Sequence, residues 1–292
     1  MPTPRLLLLA LLLAPVAACD EVAPPDAPVD VVVDDAVVAR ERGDVQTAER
    51  LLRAALQREP QNPKVRVELA TTVLQRDGVD LLDLDRIASF LTTGEGAART
   101  RASGGAPRAA CPYAADPSAT AFDPTEIADF DALAGAAAAL AETADLLDPV
   151  IPEPIRSFDV CTSVADGALV YDRDGALADL AAQGLSRAQI ARALAVNALA
   201  RFLDAYLFVA TEVTQETAWY RLADGGVAVC VADPDALRQE AEGAVGDLGE
   251  AVLSLDARAS LLGATSLAAD LVDVALGAFE GVRDGVADYC SS

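Results

Sequence analysis

Residues 29–62 read VDVVVDDAVVARERGDVQTAERLLRAALQREPQN, and this stretch decides the fold. Ala48, Leu51, Leu52, Ala55 and Leu56 recur at three- and four-residue spacing, which is the period of an amphipathic helix and not of a strand. Val37 and Val38 lead into Arg42-Gly43-Asp44, where glycine suits a helix C-terminus and aspartate the next N-cap. Glu59-Pro60 closes the second helix. Asn62-Pro63 opens a third, carrying Val67, Leu69, Ala70, Val73 and Leu74 up to a stop at Asp77-Gly78. Leu81 to Leu91 reads as a fourth helix.

With those residues in view, positions 29–62 resemble a tetratricopeptide repeat (TPR), a helical hairpin with small side chains where its helices touch. The family's small residue in its first helix corresponds to Ala36, and its Gly-Asp turn to Gly43 and Asp44. Its inner small positions match Ala48 and Ala55, the large apolar position between them Leu52, and the closing proline Pro60. Residues 63–78 look like the first helix of a following repeat, with Leu69-Ala70 at its Leu-Gly/Ala step. The match then departs, because Leu82 stands at a small position and Asp83 and Asp85 interrupt the apolar face. Alanine on facing surfaces lets helices approach while leucine fills the space between, but a freestanding array takes three or more such units. The resemblance implies architecture and protein binding, not catalysis.

The chain has 292 residues, a formal net charge of −24 and no histidine. Hydrophobic residues make up 52% and aromatic ones 4%, so the core is alanine- and leucine-rich, which favours an all-α fold. So acidic a surface repels phosphate backbones, and nucleic acid is not an expected partner. Without histidine, Ser-His-Asp and Cys-His catalytic sets cannot form, nor can His-containing zinc sites. Lys64 is the sole lysine and reads as an exposed turn residue.

The amino terminus is an address. Residues 1–18 run from a basic start through Leu6 to Ala14 to small residues, the order of a secretory signal too short to span a bilayer. Val16-Ala17-Ala18-Cys19 resembles the lipobox of bacterial lipoproteins, which implies cleavage before Cys19 and a diacylglycerol thioether on it. Each buried acyl methylene contributes about 0.8 kcal/mol to such an anchor. Residues 19–30, rich in acid and proline, are expected to form an extended tether. The implied location is the bacterial cell envelope, lipid-anchored to a membrane and facing the periplasm or exterior. In that compartment Cys111, Cys161, Cys230 and Cys290 are expected to form two disulfides, with all three pairings open. The chain-entropy relation gives roughly 4 kcal/mol for each such long loop.

The body divides into a TPR-like segment at 31–92, a Gly/Ala/Ser/Arg linker at 93–110 and a larger helical domain at 111–292. In the last, Asp123-Pro124-Thr125-Glu126 opens a helix whose face runs Ile127, Phe130, Leu133, Ala137, Leu140, Ala144 and Leu147. Helices are expected from about 160 to 171, from 175 to 183, and from 187 to about 213 behind a capping box at Ser186 to Gln189. Residues 219–231 read as one β-hairpin. A last helical region starts at Asp233-Pro234, with glycine breaks near Gly246, Gly249 and Gly263 and a core face from Leu267 to Val282.

No catalytic constellation emerges. Asp172-Arg173-Asp174-Gly175 has the flavour of a calcium loop, but Val170 and Ala181 stand at its end-ligand positions, so it reads as a turn. No P-loop, GxSxG or dinucleotide glycine pattern lies in the required context, and no cofactor or metal is expected. The expectation is a non-catalytic scaffold that binds another envelope protein. The rival expectation is an apolar small-molecule binder serving a transporter, with a pocket near Phe202, Tyr206 and Trp219.

Overall fold

The computed structural model describes residues 27–79, 112–123, 125, 130–159, 163–165, 168–208, 210–211, 217–223, 227–231 and 234–263. It is mostly helical. Helices α1 (Val29–Glu41), α2 (Val45–Arg58) and α3 (Pro63–Arg76) form the amino-terminal unit. Helix α1 opens two residues inside the segment expected to be tether.

The turns of this unit follow from a few residues. Past α1, Gly43 sits at φ +85°, a conformation that an L side chain resists. Its N–H donates to the Arg40 carbonyl at 2.9 Å and the N–H of Asp44 to that of Ala39 at 2.9 Å, the two bonds of a Schellman closure. The carboxylate of Asp44 then accepts from the N–H of Thr47 at 3.0 Å and caps α2. One Gly-Asp pair thus ends one helix and starts the next. Asn62 caps α3, accepting from Lys64 and Val65, with Pro63 in the first turn. Gly78, at φ +75°, closes α3 by the same Schellman pattern.

Beyond lie strand β1 (Thr120–Phe122) and helices α4 (Phe130–Gly135), α5 (Ala137–Leu147) and α6 (Glu153–Arg156). Strands β2 (Val164–Ala165) and β3 (Ala168–Leu169), helix α7 (Arg173–Ala182) and the long α8 (Arg187–Phe208) follow. The chain continues through β4 (Thr217–Arg221), β5 (Val227–Val231) and α9 (Pro234–Leu262). The helices pack in sequence: α1 on α2, α2 on α3, α3 on α5, α5 on α8 and α8 on α9, with α3 also touching α8. Arg66 reaches the Leu146 carbonyl at 3.2 Å and Arg76 comes within 4.0 Å of Glu142, so α5 runs against α3 in the opposite direction. One apolar cluster crosses this junction, joining Leu52, Leu69 and Val73 to Leu140, Leu147, Leu194 and Leu253. The core therefore runs through both sides of the expected 93–110 linker.

Several expectations are corrected. The helix expected to run on through Leu147 is interrupted at Ala136, which is buried as the N-cap residue of α5, and the phase shift leaves Ala137 exposed while Ala139 and Leu140 turn inward. Val164–Ala165 and Ala168–Leu169 pair as two antiparallel strands, Ala165↔Ala168, where a helix is expected. Helix α8 runs as an α-helix to Phe208 and residues 210–211 are in π-helical conformation, close to the expected end near residue 213. Gly246 and Gly249 lie inside α9 and break nothing; Gly263, at φ +67°, ends it. Helix propensity makes glycine costly there, but the Phe158 ring fills the space a Gly249 Cβ would need. The hairpin at 219–231 is present from Thr217, and β1 adds a third antiparallel strand, in order β1-β4-β5 with Phe122↔Trp219 and Trp219↔Val229 in register. The expected signal, the fourth helix at Leu81–Leu91, the linker and the Leu267–Val282 face lie outside the described residues, as does Ile127.

Candidate protein-interaction surface

The repeat-like positions fall where a packed hairpin needs them. Ala36, Ala48 and Leu52 are fully buried and Ala55 nearly so, which places three methyl groups and one leucine at the helix contact. Pro60 is exposed just past α2. In α3, Leu69, Ala70 and Val73 are equally buried and serve the next contact. Leu82, Asp83 and Asp85 lie outside the described residues.

Two polar clusters sit in these contacts, and neither was singled out from the sequence. The first joins three helices. Arg40 of α1 is 7% exposed and Glu68 of α3 is 3% exposed. The Arg40 Nη2 donates to Glu68 Oε2 at 2.7 Å, and its Nη1 to the Glu68 carbonyl and Thr72 Oγ1, each at 3.2 Å. From α8, Arg192 donates to both carboxylate oxygens at 2.7 and 2.8 Å. A carboxylate between two guanidinium groups has its buried charge fully answered, and the arrangement pins α1 and α3 to α8. The available signal was phase: Glu68 and Thr72 share the α3 face of Val65, where an apolar side chain is the norm.

The second cluster lies where α8 meets α9 and the end of α5. Arg201 donates to Asp247 at 2.8 Å and to Asp148, while Glu250 approaches its Nε at 3.2 Å without hydrogen-bond alignment. Asn197, fully buried, donates to Glu250 and Ser254 at 3.0 Å each, and its Oδ1 has no hydrogen-bond partner. Burial, outweighing the attraction of Arg201, raises Asp247 and Glu250 above the ordinary carboxylate range. Burial also raises Asp204, against the pull of Arg201. One guanidinium thus serves an excess of carboxylates.

The remaining predicted features resolve simply. The Asp172 carboxylate caps α7 by accepting from the Gly175 N–H at 3.0 Å, and it occupies the space a Gly175 Cβ would take. Ser186 and Gln189 form the reciprocal capping box, Ser186 N–H to Gln189 Oε1 at 2.9 Å and Gln189 N–H to Ser186 Oγ at 3.3 Å. The three aromatic residues considered for a small-molecule pocket are each packed elsewhere. Phe202 lies against Ala198 and Leu255, Tyr206 edge-on to Phe130 and Trp219 edge-on to Phe122. Cys230, on β5, takes part in a disulfide; Cys19, Cys111, Cys161 and Cys290 lie outside the described residues. Among the described residues no group of three or more acidic or cysteine side chains is placed to hold a metal ion. No described helix is long and apolar enough to cross a membrane.

What stays open is the outer face of α2. Gln46, Glu49, Arg50, Arg53, Ala54 and Gln57 lie along this one helix face. Glu49 Oε1 is held by Arg53 at 2.7 Å and Arg76 at 2.8 Å, and Arg53 also reaches Glu142 of α5 at 2.6 Å. Arg76 is bonded to Asp77 at 2.6 Å as well. The carboxylates beside this face are therefore engaged. Arg50 is exposed and makes no hydrogen bond with any described residue, its charge adding to the Thr47 hydrogen bonds that hold the Asp44 carboxyl below its ordinary range, and neither Gln46 nor Gln57 is hydrogen-bonded to a described residue.

A tetratricopeptide-repeat family model matches residues 39–79, from the last turn of α1 through α2 and α3 to Val79. The chain carries a TPR-like repeat in this segment, and the matched hairpin is α2–α3 rather than α1–α2. No curated protein matches the chain, and no solved structure does.

Proposed function

We propose that this protein is a non-catalytic scaffold of the bacterial envelope, moored by a lipid on Cys19 and holding another protein against its TPR-like helices. The observation that carries the binding half is a repeat whose inner faces are fully packed while the outer face of α2 stays open. TPR hairpins serve protein contacts in general, and a rigid, capped helix is a precise platform for one. The anchoring half rests on the lipobox-like Val16-Ala17-Ala18-Cys19 behind an apolar run. An oxidising compartment also suits the disulfide at Cys230 and a scheme of two bridges among Cys111, Cys161, Cys230 and Cys290.

Two measurements test the halves separately. Intact-mass analysis of membrane-extracted protein should find the leader removed and acyl chains on Cys19; an unmodified thiol there refutes anchoring. Crosslinking in whole cells, with Cys19→Ala as control, should give one reproducible adduct that maps to α2 or α3. Repeated absence of any adduct refutes the scaffold.

A further inference from the structure

We propose that the junction of α8, α9 and the end of α5 is a proton-operated clasp, which holds a proton among its crowded carboxylates in mild acid and loosens as that proton leaves. The inference goes beyond the protein-binding reading and stands independently of it. Its first support is the balance of charge. Asp148, Asp247 and Glu250 all crowd the single guanidinium of Arg201, Asp247 at 2.8 Å and Glu250 at 3.2 Å. Asp204 stands one turn further along α8 and acts on Asp247. Asp148 also caps the C-terminal end of α5, where unpaired helix carbonyls add negative charge of their own. Carboxylates held this close repel one another, and a proton on one of them relieves the rest.

The second support is the setting of Glu250. It is as enclosed as Glu68, but the two carboxylates are answered differently. Glu68 receives aligned hydrogen bonds from two guanidinium groups. Glu250 receives one aligned bond, from the neutral amide of Asn197 at 3.0 Å, while the Arg201 Nε passes it out of line. A buried carboxylate that has lost its water and gained no aligned cation favours its neutral form. Burial is accordingly the chief cause that raises Asp247 and Glu250; Arg201 opposes it, and Asp148 adds to it in both. Charged groups on the other elements near α8 and α9 are engaged elsewhere: Arg156 of α6 with the Ile151 carbonyl at 2.9 Å, Arg173 of α7 with Asp256 at 3.4 Å, and Arg192 of α8 with Glu68. What the clasp grips is the contact through which Leu194 of α8 and Leu253 of α9 share the core. The folded chain binds these protons more tightly than the unfolded one does. Their contribution to stability is therefore full below the ordinary carboxylate values of 3.8 and 4.5 and is lost as pH rises through the raised ones.

Glu250→Gln, which fixes the neutral form, tests this in the full-length chain in detergent, melted by circular dichroism from pH 4 to pH 7. A tenfold difference in proton affinity between the folded and unfolded chains corresponds to about 3–5 °C in a domain of 150–250 residues. The variant should melt higher than the wild type by about that much at pH 7 and level with it at pH 4. Asp247→Asn should behave in the same way, and it carries the test if Glu250→Gln does not fold. Asp179→Asn removes the same charge from the exposed side of α7 and should follow the wild type at every pH. At pH 7, hydrogen exchange along α8 and α9 should slow about tenfold in Glu250→Gln. A gap that is absent at pH 7, that persists undiminished at pH 4, or that Asp179→Asn reproduces overturns the proposal. Unchanged exchange along α8 and α9, or failure of both cluster variants to fold, overturns it too. None of these outcomes bears on the crosslinking experiment, which tests the scaffold by itself.

Discussion

Removing the carboxylate of Glu68 should be among the most damaging single changes in the amino-terminal unit. Glu68→Ala leaves the Arg40 guanidinium buried, with only the carbonyl of residue 68 and Thr72 to receive it. At an effective dielectric constant near 20, unit charges 4 Å apart attract by about 4 kcal/mol, most of which offsets the cost of desolvating them. Breaking one side of such a pair exposes that cost and destabilises by about 3–5 kcal/mol. The side chain of Arg192 is 40% exposed and can turn to water, so its half of the triad contributes no more than about 1 kcal/mol. At about 2–4 °C per kcal/mol for a domain of 150–250 residues, the melting temperature should fall by on the order of 10 °C. The double variant Arg40→Met with Glu68→Leu removes both charges and fills the space, and should recover most of the loss. Urea melts followed by helical circular dichroism, run as a double-mutant cycle, read both effects. A loss under about 1 kcal/mol in Glu68→Ala, or a double variant no better than the single, refutes the claim that the pair is buried and mutually dependent.

Three further outcomes follow from other contacts. Asp204 is raised by burial, so its folded form holds a proton more tightly than the unfolded chain does. The stability it contributes is therefore present below its ordinary value of 3.8 and lost as pH rises through the shifted value. Asp204→Asn should accordingly raise the melting temperature at pH 7 and change it little near pH 3, as scanning calorimetry across that range will read. Gly243 and Gly249 lie in the same helix but should respond with opposite signs. Gly243→Ala meets no neighbour within 4 Å and should stabilise by about 0.5–1 kcal/mol, whereas Gly249→Ala drives a methyl into the Phe158 ring and should cost about 1–3 kcal/mol in the same urea melts. Leu52→Ala, at a fully buried repeat position, should cost about 2–5 kcal/mol and, where exchange is measured, lower hydrogen-exchange protection along α1 and α2.

The hairpin at residues 29–78 was legible because three independent signals agree there: the spacing of Ala48, Leu52 and Ala55, the caps Asp44 and Asn62, and the turn glycines Gly43 and Gly78. Phase was harder to read in the alanine run from Ala136 to Ala139, because alanine suits either side of a helix and cannot report where the register slips. The two-residue strands around Asp166-Gly167 were misread for the opposite reason. Asp-Gly is a strong hairpin signal, but two paired residues on each side give too little alternation to outweigh helix-forming neighbours. Gly249 was read as a breaker since nothing in its vicinity announces Phe158, which lies some ninety residues earlier. The same holds for Arg53, whose four-residue spacing from Glu49 is legible in the sequence while its bond to Glu142 depends on how α5 packs.

The packing order explains how a single well-formed repeat can persist without a run of repeats behind it. A helical hairpin cannot bury both of its faces alone, so an array needs several units in succession. Here α5, drawn from far along the chain, lies antiparallel on α3, and α8 and α9 extend the stack beyond it. The Arg40–Glu68–Arg192 triad crosses the same junction, with the buried pair joining α1 to α3 and the half-exposed Arg192 adding a contact from α8. The far side of α3 is thereby consumed as core. Among the described residues, a partner that engages the repeat is left with the solvent side of α1, where Val31 and Val38 are 44% and 42% exposed among carboxylates, or with the exposed face of α2. Of the two, α2 carries Gln46, Arg50 and Gln57, none of them hydrogen-bonded to a described residue, and polar groups held in place on a capped helix favour a selective contact over a merely sticky one.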